Sequence, residues 1–574
     1  MLKFHLFSII LFTAIHLQAQ TYSITGYVTD SASGERIIGA NVVDLITNTG
    51  ASTNSYGFFD LKISGPKVKI VVSYVGSLSP LFEFIVKHDT LVMLSIHTTR
   101  ELTEVIVETK SNAYKRWMPL GMTVIPVKSL TLTPSLGEPD VLKSIQSQPG
   151  VKGGLEGSAG IFVRGGGNGE NLFLLDDVPI YNVSHLYGFF SAFNSQAVKD
   201  LKVVKGCFPA RYGGRASSVI DVRSIDGNNK QLKGSVSIGL ISSQITLHGP
   251  LLSEKTTFMV AARRSYFDLL AKPLKDAGAL NKNFPDYFFY DMNVKLAHAF
   301  SSKDKLYFNF YSGKDHMKNE DEFTELSGSI SNYTESNVQT SGWGNTIASG
   351  RWNHLFGSSL FVNTTLAYST YNYFTQTNFN AANLLISEQE TTIRSYFANY
   401  KSNIDDLIAK VDFDYALSNN HTLKFGFGNT YHKFNPGNNH YRVSDEELKS
   451  FSDTAYANKI LYGNEFYIYF EGHLKLNQKL LSEMGVRFSG MQSGEPAIWN
   501  AEPRVSINYL LTPDLVIKTG YSRMNQYMHL LSSSGVSMPT DIWVPALKGI
   551  KPLQSDQVNI GLTYNWNEKA FFFV

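Results

Sequence analysis

The sequence predicts a mainly β protein whose larger, C-terminal part is an antiparallel transmembrane β-barrel. Aromatic residues make up 13% of the chain and charged residues only 17%, a balance typical of β structure and of the aromatic girdles of membrane barrels. After residue 20 no stretch reaches the roughly 18 apolar residues that a membrane helix needs. The barrel prediction also rests on the alternation of apolar and polar residues along the strands and on the spacing of the turns.

The N-terminus predicts a cleaved export signal over residues 1–20. Lys3 supplies a positive charge, Phe7–Ile15 is a short apolar run, and Ala19 is a small residue before the expected cut. An N-terminal membrane anchor would need a longer apolar run. The protein is therefore expected to be exported, which in a bacterium means the periplasm, the outer membrane or the exterior.

Residues 21–98 predict a small β-sandwich of short strands with turns between them, and a polar connection at Asn48–Thr53. The segments Gly39–Val42 and Asn54–Phe59 resemble the carboxypeptidase-regulatory-like domain. The domain carries no HExxH motif or comparable metal-ligand spacing. We therefore expect a non-catalytic accessory module rather than an enzyme.

Residues 121–230 carry the densest set of motifs in the chain. In order between 141 and 223 they read VLKSIQSQPGV, GIFVRGG, NLFLLDDVPIYN, HLYGFFSAFN, AVKDLKVVKG and ARYGGRASSVIDV. Together these segments resemble the plug of TonB-dependent outer-membrane receptors, which implies a small α+β domain inside a barrel. The family usually has glycine or glutamate after the first aspartate of the LLD segment. Asp177 stands there in this chain, and we expect it to change a local turn or an ion pair.

The glycines of this region predict tight turns rather than a phosphate-binding loop, because Glu170 stands where G-x-G-x-x-G needs its last glycine and no GK[ST] follows. Its arginines and aspartates are expected to form ion pairs within the plug or against the barrel wall. A catalytic pair is disfavoured, since Asp176 and Asp177 would point to opposite faces of a strand. The structural or gating residues so predicted are Arg164, Gly165, Gly166, Asp176, Asp177, Arg211, Tyr212, Gly213, Gly214 and Arg215.

The aromatic stretch Tyr181–Phe193 either stacks on a ligand or packs the plug, and the sequence leaves both readings open. The candidate ligand contacts are Tyr181, His185, Tyr187 and Phe189. Cys207 is the only cysteine, which excludes cysteine-based zinc and iron–sulfur sites. No cofactor and no metal site are predicted.

A short alternating segment, LTEVIVE at Leu102–Glu108, lies between the β-sandwich and a polar linker at Thr109–Arg116, within a connecting region over 99–120. The sequence of this segment alone predicts one more short strand. It resembles the energy-coupling box of TonB-dependent receptors, which implies that it adds as a strand to the sheet edge of TonB. The coupling residues implied are Leu102, Thr103, Glu104, Val105, Ile106 and Val107.

Residues 231–574 predict the barrel. Phe466–Asn477 alternates apolar residues such as Ile468 and Phe470 with polar ones such as Glu471, as a wall between lipid and a wet lumen requires. Short polar turns also alternate with longer loops, which is typical of outer-membrane barrels. The predicted turns are at 252–254, 301–304, 357–359, 418–420, 477–479, 512–514 and 567–569, and the predicted loops at 271–286, 318–337, 379–392, 435–457 and 531–554.

The strand count differs from that of the family. We count about fourteen strands and the start of another at Ala570–Val574, against about 22 in plugged outer-membrane transporters. The expectation is a barrel that is incomplete at its C-terminus. The alternative is a natural barrel of about fourteen strands, which has little room for a plug.

The resemblance implies active import of a scarce ligand across the bacterial outer membrane, with the N-terminal domain and plug facing the periplasm. Its expected partners are the TonB complex of the inner membrane, outer-membrane lipids and a small-molecule ligand such as a ferric siderophore. The accessory β domain is common in relatives from Bacteroidetes, some of which import glycans or peptides with a surface lipoprotein, so this remains an alternative. An adhesin or structural β protein is a further alternative. An exported hydrolase is disfavoured, because the sequence offers no candidate cluster of titratable residues. With a net charge of +2, no nucleic-acid partner is indicated.

Overall fold

The computed structural model describes residues 21–47, 49–74, 77, 80–98, 120–135, 137–154, 160–327, 331–385, 390–419, 421–494, 496–512, 514–532, 538–547, 549–566 and 570–573. The predicted export signal (1–20) and the predicted coupling segment (102–107) lie outside these residues. The described chain forms an N-terminal β domain, a compact plug and one large antiparallel sheet. This architecture confirms the predicted mainly β fold.

The N-terminal domain packs two sheets face to face, in the orders β4–β1–β7 and β3–β2–β5–β6. Ile24 and Leu61 from one sheet meet Val42 and Ile70 from the other, and all four are fully buried. The prediction of a polar connection at 48–53 was wrong in part, because Thr49–Ser52 pairs with β2 as an outer strand. The strands are β1 (Thr21–Asp30), β2 (Asn41–Asp44), β3 (Thr49–Ser52), β4 (Phe58–Ser64), β5 (Lys67–Ser73), β6 (Leu81–Ile85) and β7 (Thr90–Ile96).

The plug is built on a five-stranded sheet in the order β12–β11–β16–β15–β8. Every residue of β16 is buried, since this central strand has strands on both sides and the barrel wall around it. The strands are β8 (Met122–Ile125), β9 (Val151–Gly153), β10 (Ile161–Val163), β11 (Asn171–Leu175), β12 (Val178–Pro179), β13 (Ser184–His185), β14 (Phe190–Ser191), β15 (Val198–Val204) and β16 (Ser218–Ser224). The helices are α1 (Val141–Gln146) and the 3₁₀ turns Val127–Leu132, Asn168–Glu170 and Leu186–Gly188.

The rest of the described chain is one antiparallel sheet whose strands follow their sequence order from β17 to β34, with β26 paired to the outer part of β25 and a separate β31–β32 hairpin. The strands are β17 (Lys233–Ile238), β18 (Ser242–Leu251), β19 (Ser253–Ser265), β20 (Asp286–Ala299), β21 (Asp304–Ser327), β22 (Ser331–Phe356), β23 (Leu360–Leu385), β24 (Glu390–Ser418), β25 (His421–Asp445), β26 (Ser450–Ala457), β27 (Leu461–Lys475), β28 (Leu480–Gln492), β29 (Ile498–Thr512), β30 (Leu515–Gln526), β31 (Met528–Leu531), β32 (Ile542–Pro545), β33 (Leu553–Trp566) and β34 (Ala570–Phe573). Helix α2 is Phe267–Asp276. No helix in the described part of the chain is long and apolar enough to cross a membrane.

The predicted alternation holds in β27. Ile468 and Phe470 are 42% and 44% exposed, whereas Tyr469 and Glu471, which alternate with them, are 2% and 6% exposed. In a water-soluble sheet the apolar residues would be buried; here the polar ones face the plug and the apolar ones face outward. This inside-out pattern is what a lipid-facing barrel wall requires.

The loop predictions were wrong in three places. The segments at 318–337, 379–392 and 435–457 consist largely of strands that lengthen the hairpins, so that β21–β25 run for 24 to 29 residues each. A tilted strand crosses a bilayer in about 9–11 residues. These strands therefore stand well above the membrane, where pairing satisfies backbone groups that a loop would leave to water.

Candidate functional site

The site is centred on the two-residue turn between β11 and β12. Leu175 pairs with Val178, and Asp176 and Asp177 between them have φ values of 50° and 74°. Two positive φ values define a type I′ hairpin turn, where asparagine, aspartate and glycine are favoured. The expectation that the two carboxylates lie on a strand was wrong, because the pair forms the turn itself.

Asp177 is the anion of a buried cluster of cations. Arg223 donates two hydrogen bonds to its carboxylate, at 2.7 and 2.6 Å, and Arg211 donates a third at 3.1 Å. From the barrel, Arg351 Nη1 and Lys410 Nζ each lie 3.9 Å from the carboxylate. Burial alone would raise the pKa of the Asp177 carboxyl, but Arg223, Lys410 and Arg211 hold that pKa well below its usual value.

The neighbouring carboxylate ties the turn to the barrel wall. Asp176 Oδ1 accepts a hydrogen bond of 3.0 Å from Lys295 on β20, and its second oxygen accepts one from the Ser224 hydroxyl. Lys295 also lies 2.8 Å from Asp226 at the end of the plug. The predicted departure at the LLD segment thus places two carboxylates in one turn, each with its own basic partners.

The other predicted arginines contact different groups. Arg164 donates to Asn559 on β33, and Arg215 lies over the Trp543 ring at 4.5 Å and donates to the Gly214 carbonyl. Tyr212 donates to Asp221 at 3.0 Å. Gly165 and Gly214 have φ of 83° and 80°, a region that glycine enters without strain. A Cβ at Gly166 would stand 2.3 Å from Ser217 Oγ, so this close approach requires glycine. A Cβ at Gly213 would stand 2.3 Å from Arg487 Nε, so the Arg487 side chain would have to move.

Barrel side chains that the sequence reasoning did not select hold the loop Pro209–Gly213. Arg504 donates to the carbonyls of Pro209 and Tyr212, both at 2.6 Å. Arg487 donates to the Arg211 carbonyl at 3.1 Å, and Glu471 accepts from the Ala210 amide. The sequence signal for such contacts is a charged residue at an inward-facing position of a barrel strand whose residues alternate between polar and apolar.

His185 is held between two barrel carboxylates. Its Nδ1 lies 2.6 Å from Asp315 and its Nε2 lies 2.9 Å from Asp291, while its ring stacks on Phe289 at 4.3 Å. The next two residues, Leu186 and Tyr187, have φ of 46° and 55°, conformations that cost about 1–2 kcal/mol each. The His185 contacts and the Leu186 amide, which donates to Asp315 at 3.0 Å, hold this strained loop in place.

The remaining candidate ligand contacts differ in exposure. Phe189 is 44% exposed, whereas the Tyr181 hydroxyl donates to Asp406 on β24. Tyr187 is partly buried, with its ring centre 4.9 Å from that of Trp343. His185 has both ring nitrogens engaged, whereas Tyr181 and Tyr187 are partly buried and Phe189 is exposed.

A small cavity lies beside Tyr181, between the plug and the β31–β32 hairpin. The rings of Tyr181, Tyr371 and Trp543 line it together with three asparagine side chains, Asn168, Asn171 and Asn182. Asp541 also lines it, and Asp541 Oδ1 is buried without a hydrogen-bond partner among the described residues. Aromatic walls with a few convergent polar groups are typical of ligand sites. Sequence reasoning missed Tyr371, Asp541 and Trp543, although a tryptophan in a predicted outer loop was a usable signal.

Three family models match successive parts of the chain. A CarboxypepD_reg-like domain matches residues 24–107, a TonB-dependent receptor plug domain matches 116–220, and a TonB-dependent receptor-like β-barrel matches 273–573, more than half of the chain. The match of the first model extends over the predicted coupling segment. These ranges follow the order of the N-terminal domain, plug and large sheet described above.

The chain is also similar to individual proteins. It is 28% identical over 299 residues to the TonB-dependent receptor SusC of Bacteroides thetaiotaomicron, a match that covers 49% of this chain and 28% of that relative. The outer membrane transporter YddB of Escherichia coli superposes with a TM-score of 0.51 at 11% identity, over 78% of this chain and 67% of that one. The RagAB peptide importer does so with 0.50 at 9% identity, over 77% and 65%. At such identities the structural matches show the fold alone.

The plug motifs, the inside-out barrel wall and the family matches agree with one another. The family comprises transport receptors rather than enzymes, and its barrel is located in the outer membrane with the plug facing the periplasm. The chain belongs to the TonB-dependent receptors.

Proposed function

We propose that the protein imports a ligand across the bacterial outer membrane with energy delivered through TonB at residues 102–107. The observation that carries the proposal is the cavity between the plug and the β31–β32 hairpin. It lies on the side of the plug away from the N-terminal domain. A ligand bound there contacts the plug directly, so binding and plug movement are physically linked.

The lining favours a neutral, polyhydroxylated or amide-rich ligand, such as a glycan, over the ferric siderophore suggested at first. Tyr181, Tyr371 and Trp543 offer faces for stacking, and the Asn168 amide and Asp541 Oδ1 offer hydrogen bonds. Among the described residues that line the cavity, Arg215 is the only cation, which gives an anionic iron complex little electrostatic attraction. A peptide is the second candidate, since RagAB is described as a peptide importer.

A surface lipoprotein is the proposed outer partner, and TonB the inner one. The outer partner is supported by the tall rim that β21–β25 build above the membrane. Such a rim offers a broad surface on which a second protein can sit beside the cavity.

Deleting residues 102–107 is expected to abolish uptake and to leave ligand binding at the cell surface unchanged, because the role proposed for the segment is to bind TonB and not the ligand. The measurement is uptake of labelled oligosaccharides, peptides and ferric complexes by cells that carry the full-length protein in place of their own copy. Deleting the equally long linker stretch 109–114 is the control, and uptake should persist. Unchanged uptake after removal of 102–107 would refute the TonB-driven mechanism.

Replacing Trp543 with alanine is expected to weaken ligand binding roughly threefold to tenfold, because one wall of the cavity loses its stacking face. Equilibrium binding of the oligosaccharide that gives the highest uptake measures the effect. Trp499→Ala is the matched control, since Trp499 is 64% exposed on the outer face of β29. Equal affinity of both variants would exclude this cavity as the ligand site.

A further inference from the structure

The N-terminal domain lies across the end of the sheet where the tight turns are. Asn54 donates to Asp414 at 2.7 Å, and Lys62 Nζ donates to the Leu417 carbonyl at 2.7 Å, both next to the turn at 418–420. Ser358, in the turn at 357–359, donates to Asp89 at 3.0 Å. Tight turns mark the periplasmic end of an outer-membrane barrel, so the domain contacts the sheet at its periplasmic end.

One aromatic side chain of this domain reaches the centre of the plug cluster. Tyr56, in the turn before β4, is 6% exposed, and its ring stacks on Phe361 of β23 at 5.3 Å. Its hydroxyl donates to Asp177 Oδ2 at 3.1 Å and accepts from Arg211 at 3.3 Å. The carboxylate that organises the plug turn is therefore also the docking point of the N-terminal domain.

A second contact joins the domain to the segment between plug and barrel. Glu35 accepts hydrogen bonds from the backbone amides of Asp226 and Gly227, at 2.8 and 3.0 Å. The Asn229 amide donates to the Ser33 carbonyl at 2.8 Å. The domain thus holds the plug at the Asp177 turn and also at the C-terminal end of β16.

The composition of this interface allows the N-terminal domain to separate from the plug and the barrel. Its apolar part is a small cluster of Tyr27, Tyr56 and Phe58 with Leu355 and Phe361 of the barrel, and hydrogen bonds and charges make up the rest. Interfaces between domains of one chain are commonly of this mixed kind and permit relative motion. Water can replace most of these contacts when the domain moves away.

The order of the chain determines where a pull acts first. Residues 99–101 separate the N-terminal domain from the proposed coupling segment, whereas the twelve residues 108–119 separate that segment from the described plug. Twelve residues span at most about 40 Å when extended. A pull at 102–107 acts on the N-terminal domain through three residues and on the plug through twelve, so we expect the N-terminal domain to be loaded first.

We propose that the N-terminal domain is a releasable cap on the periplasmic end of the barrel, and that tension at 102–107 detaches it from Asp177 before the plug moves. This inference rests on the proposed function, because it takes its source of tension from TonB. It adds a regulatory step: while the cap is docked, Tyr56 and Glu35 hold the plug closed from the periplasmic side.

Cross-linking in cells tests the cap. Asp89→Cys and Ser358→Cys together place two thiols at the cap–barrel contact, and the one native cysteine, Cys207, is buried. With a short bismaleimide we expect a high cross-link yield in cells treated with a protonophore and a yield at least twofold lower in energised cells. Ser341→Cys with Thr375→Cys, directly paired across β22 and β23, is the control whose yield should not change with energy.

Each outcome decides the matter. In the variant that also lacks residues 102–107, the yield should stay high in energised cells. A yield that is low in all cells, the same with and without energy, or lowered by energy without residues 102–107 would overturn the cap. Failure of the import function would appear separately, as uptake that the 102–107 deletion does not affect.

Discussion

Asp177→Asn is expected to loosen the plug by about 3–5 kcal/mol, the usual effect of removing one partner from a buried ion pair. Asp177 is 1% exposed. Arg223 and Arg211 donate to its carboxylate, and Arg351 and Lys410 lie 3.9 Å from it. Without that charge, four neighbouring cations lose the carboxylate that they share, and Arg211 keeps only the more distant Asp412, at 3.9 Å. Arg223 keeps a contact with Asp221 at 3.0 Å, which moderates the loss but does not replace it.

The asparagine substitution separates the effect of the carboxylate charge from the effect of the turn conformation. The side chain keeps its size, and asparagine tolerates a positive φ as well as aspartate does, so the type I′ turn itself is retained. Asp177→Gly provides the complementary case, because it removes any strain at φ 74° together with the charge. If the ion cluster dominates, glycine should loosen the plug at least as much as asparagine, in spite of the easier turn.

Native-state proteolysis of the plug in the intact, detergent-solubilised protein measures the effect. A loss of about 3–5 kcal/mol corresponds to a rise in the open population of roughly a hundredfold or more. Asp268→Asn is the control, because the partner of Asp268, Arg264, is 43% exposed and such surface pairs contribute about 0–1 kcal/mol. Cleavage of Asp177→Asn at the wild-type rate would show that the cluster does not hold the plug.

The barrel was predictable from sequence because its determinants are local. The alternation of Ile468, Tyr469, Phe470 and Glu471 lies within one strand, and the tight turns are marked by short polar segments. The tall rim was not predictable in the same way. Segments such as 318–337 are polar on both faces, since both faces are in water, so alternation does not distinguish a strand from a loop there.

The sequence predicted some residues of the candidate site, but it did not predict which side chains contact them. The motif pattern selected Asp177 and Arg211, which contact each other. Arg223, the bidentate partner, lies 46 positions from Asp177, and Tyr56 lies 121 positions away in another domain. Contacts at such separations depend on how three domains dock, which no local pattern encodes.

His185 is expected to make docking of the plug loop His185–Tyr187 against the barrel depend on pH, with full strength below about pH 6.5 and loss as the pH rises through about 9. Both ring nitrogens face carboxylates, Asp315 and Asp291, so the ring must carry two protons to donate to both. Burial alone would lower the pKa of His185, but these two carboxylates raise it to about 9, against about 6.5 in an unfolded chain.

The sign and size follow from linkage. A group whose pKa is higher in the folded state binds its proton more tightly there, so its contribution is complete below the unfolded pKa and disappears above the folded one. The difference between about 9 and about 6.5 corresponds to roughly 3 kcal/mol at most. Around the ring, Arg263 contacts Asp291 and Tyr287 donates to Asp315.

His185→Gln separates this effect from all other titrations. Glutamine carries no charge at any pH, so the variant should be weaker than wild type at pH 6 and equal to it above about pH 10. Proteolysis at the plug loop His185–Tyr187 between pH 6 and 10 measures the difference between the two proteins. His88→Gln, which changes an exposed ring in the N-terminal domain, should reproduce the wild-type profile. Parallel profiles of wild type and His185→Gln would show that His185 is not the group that titrates, since only its own proton distinguishes the two proteins.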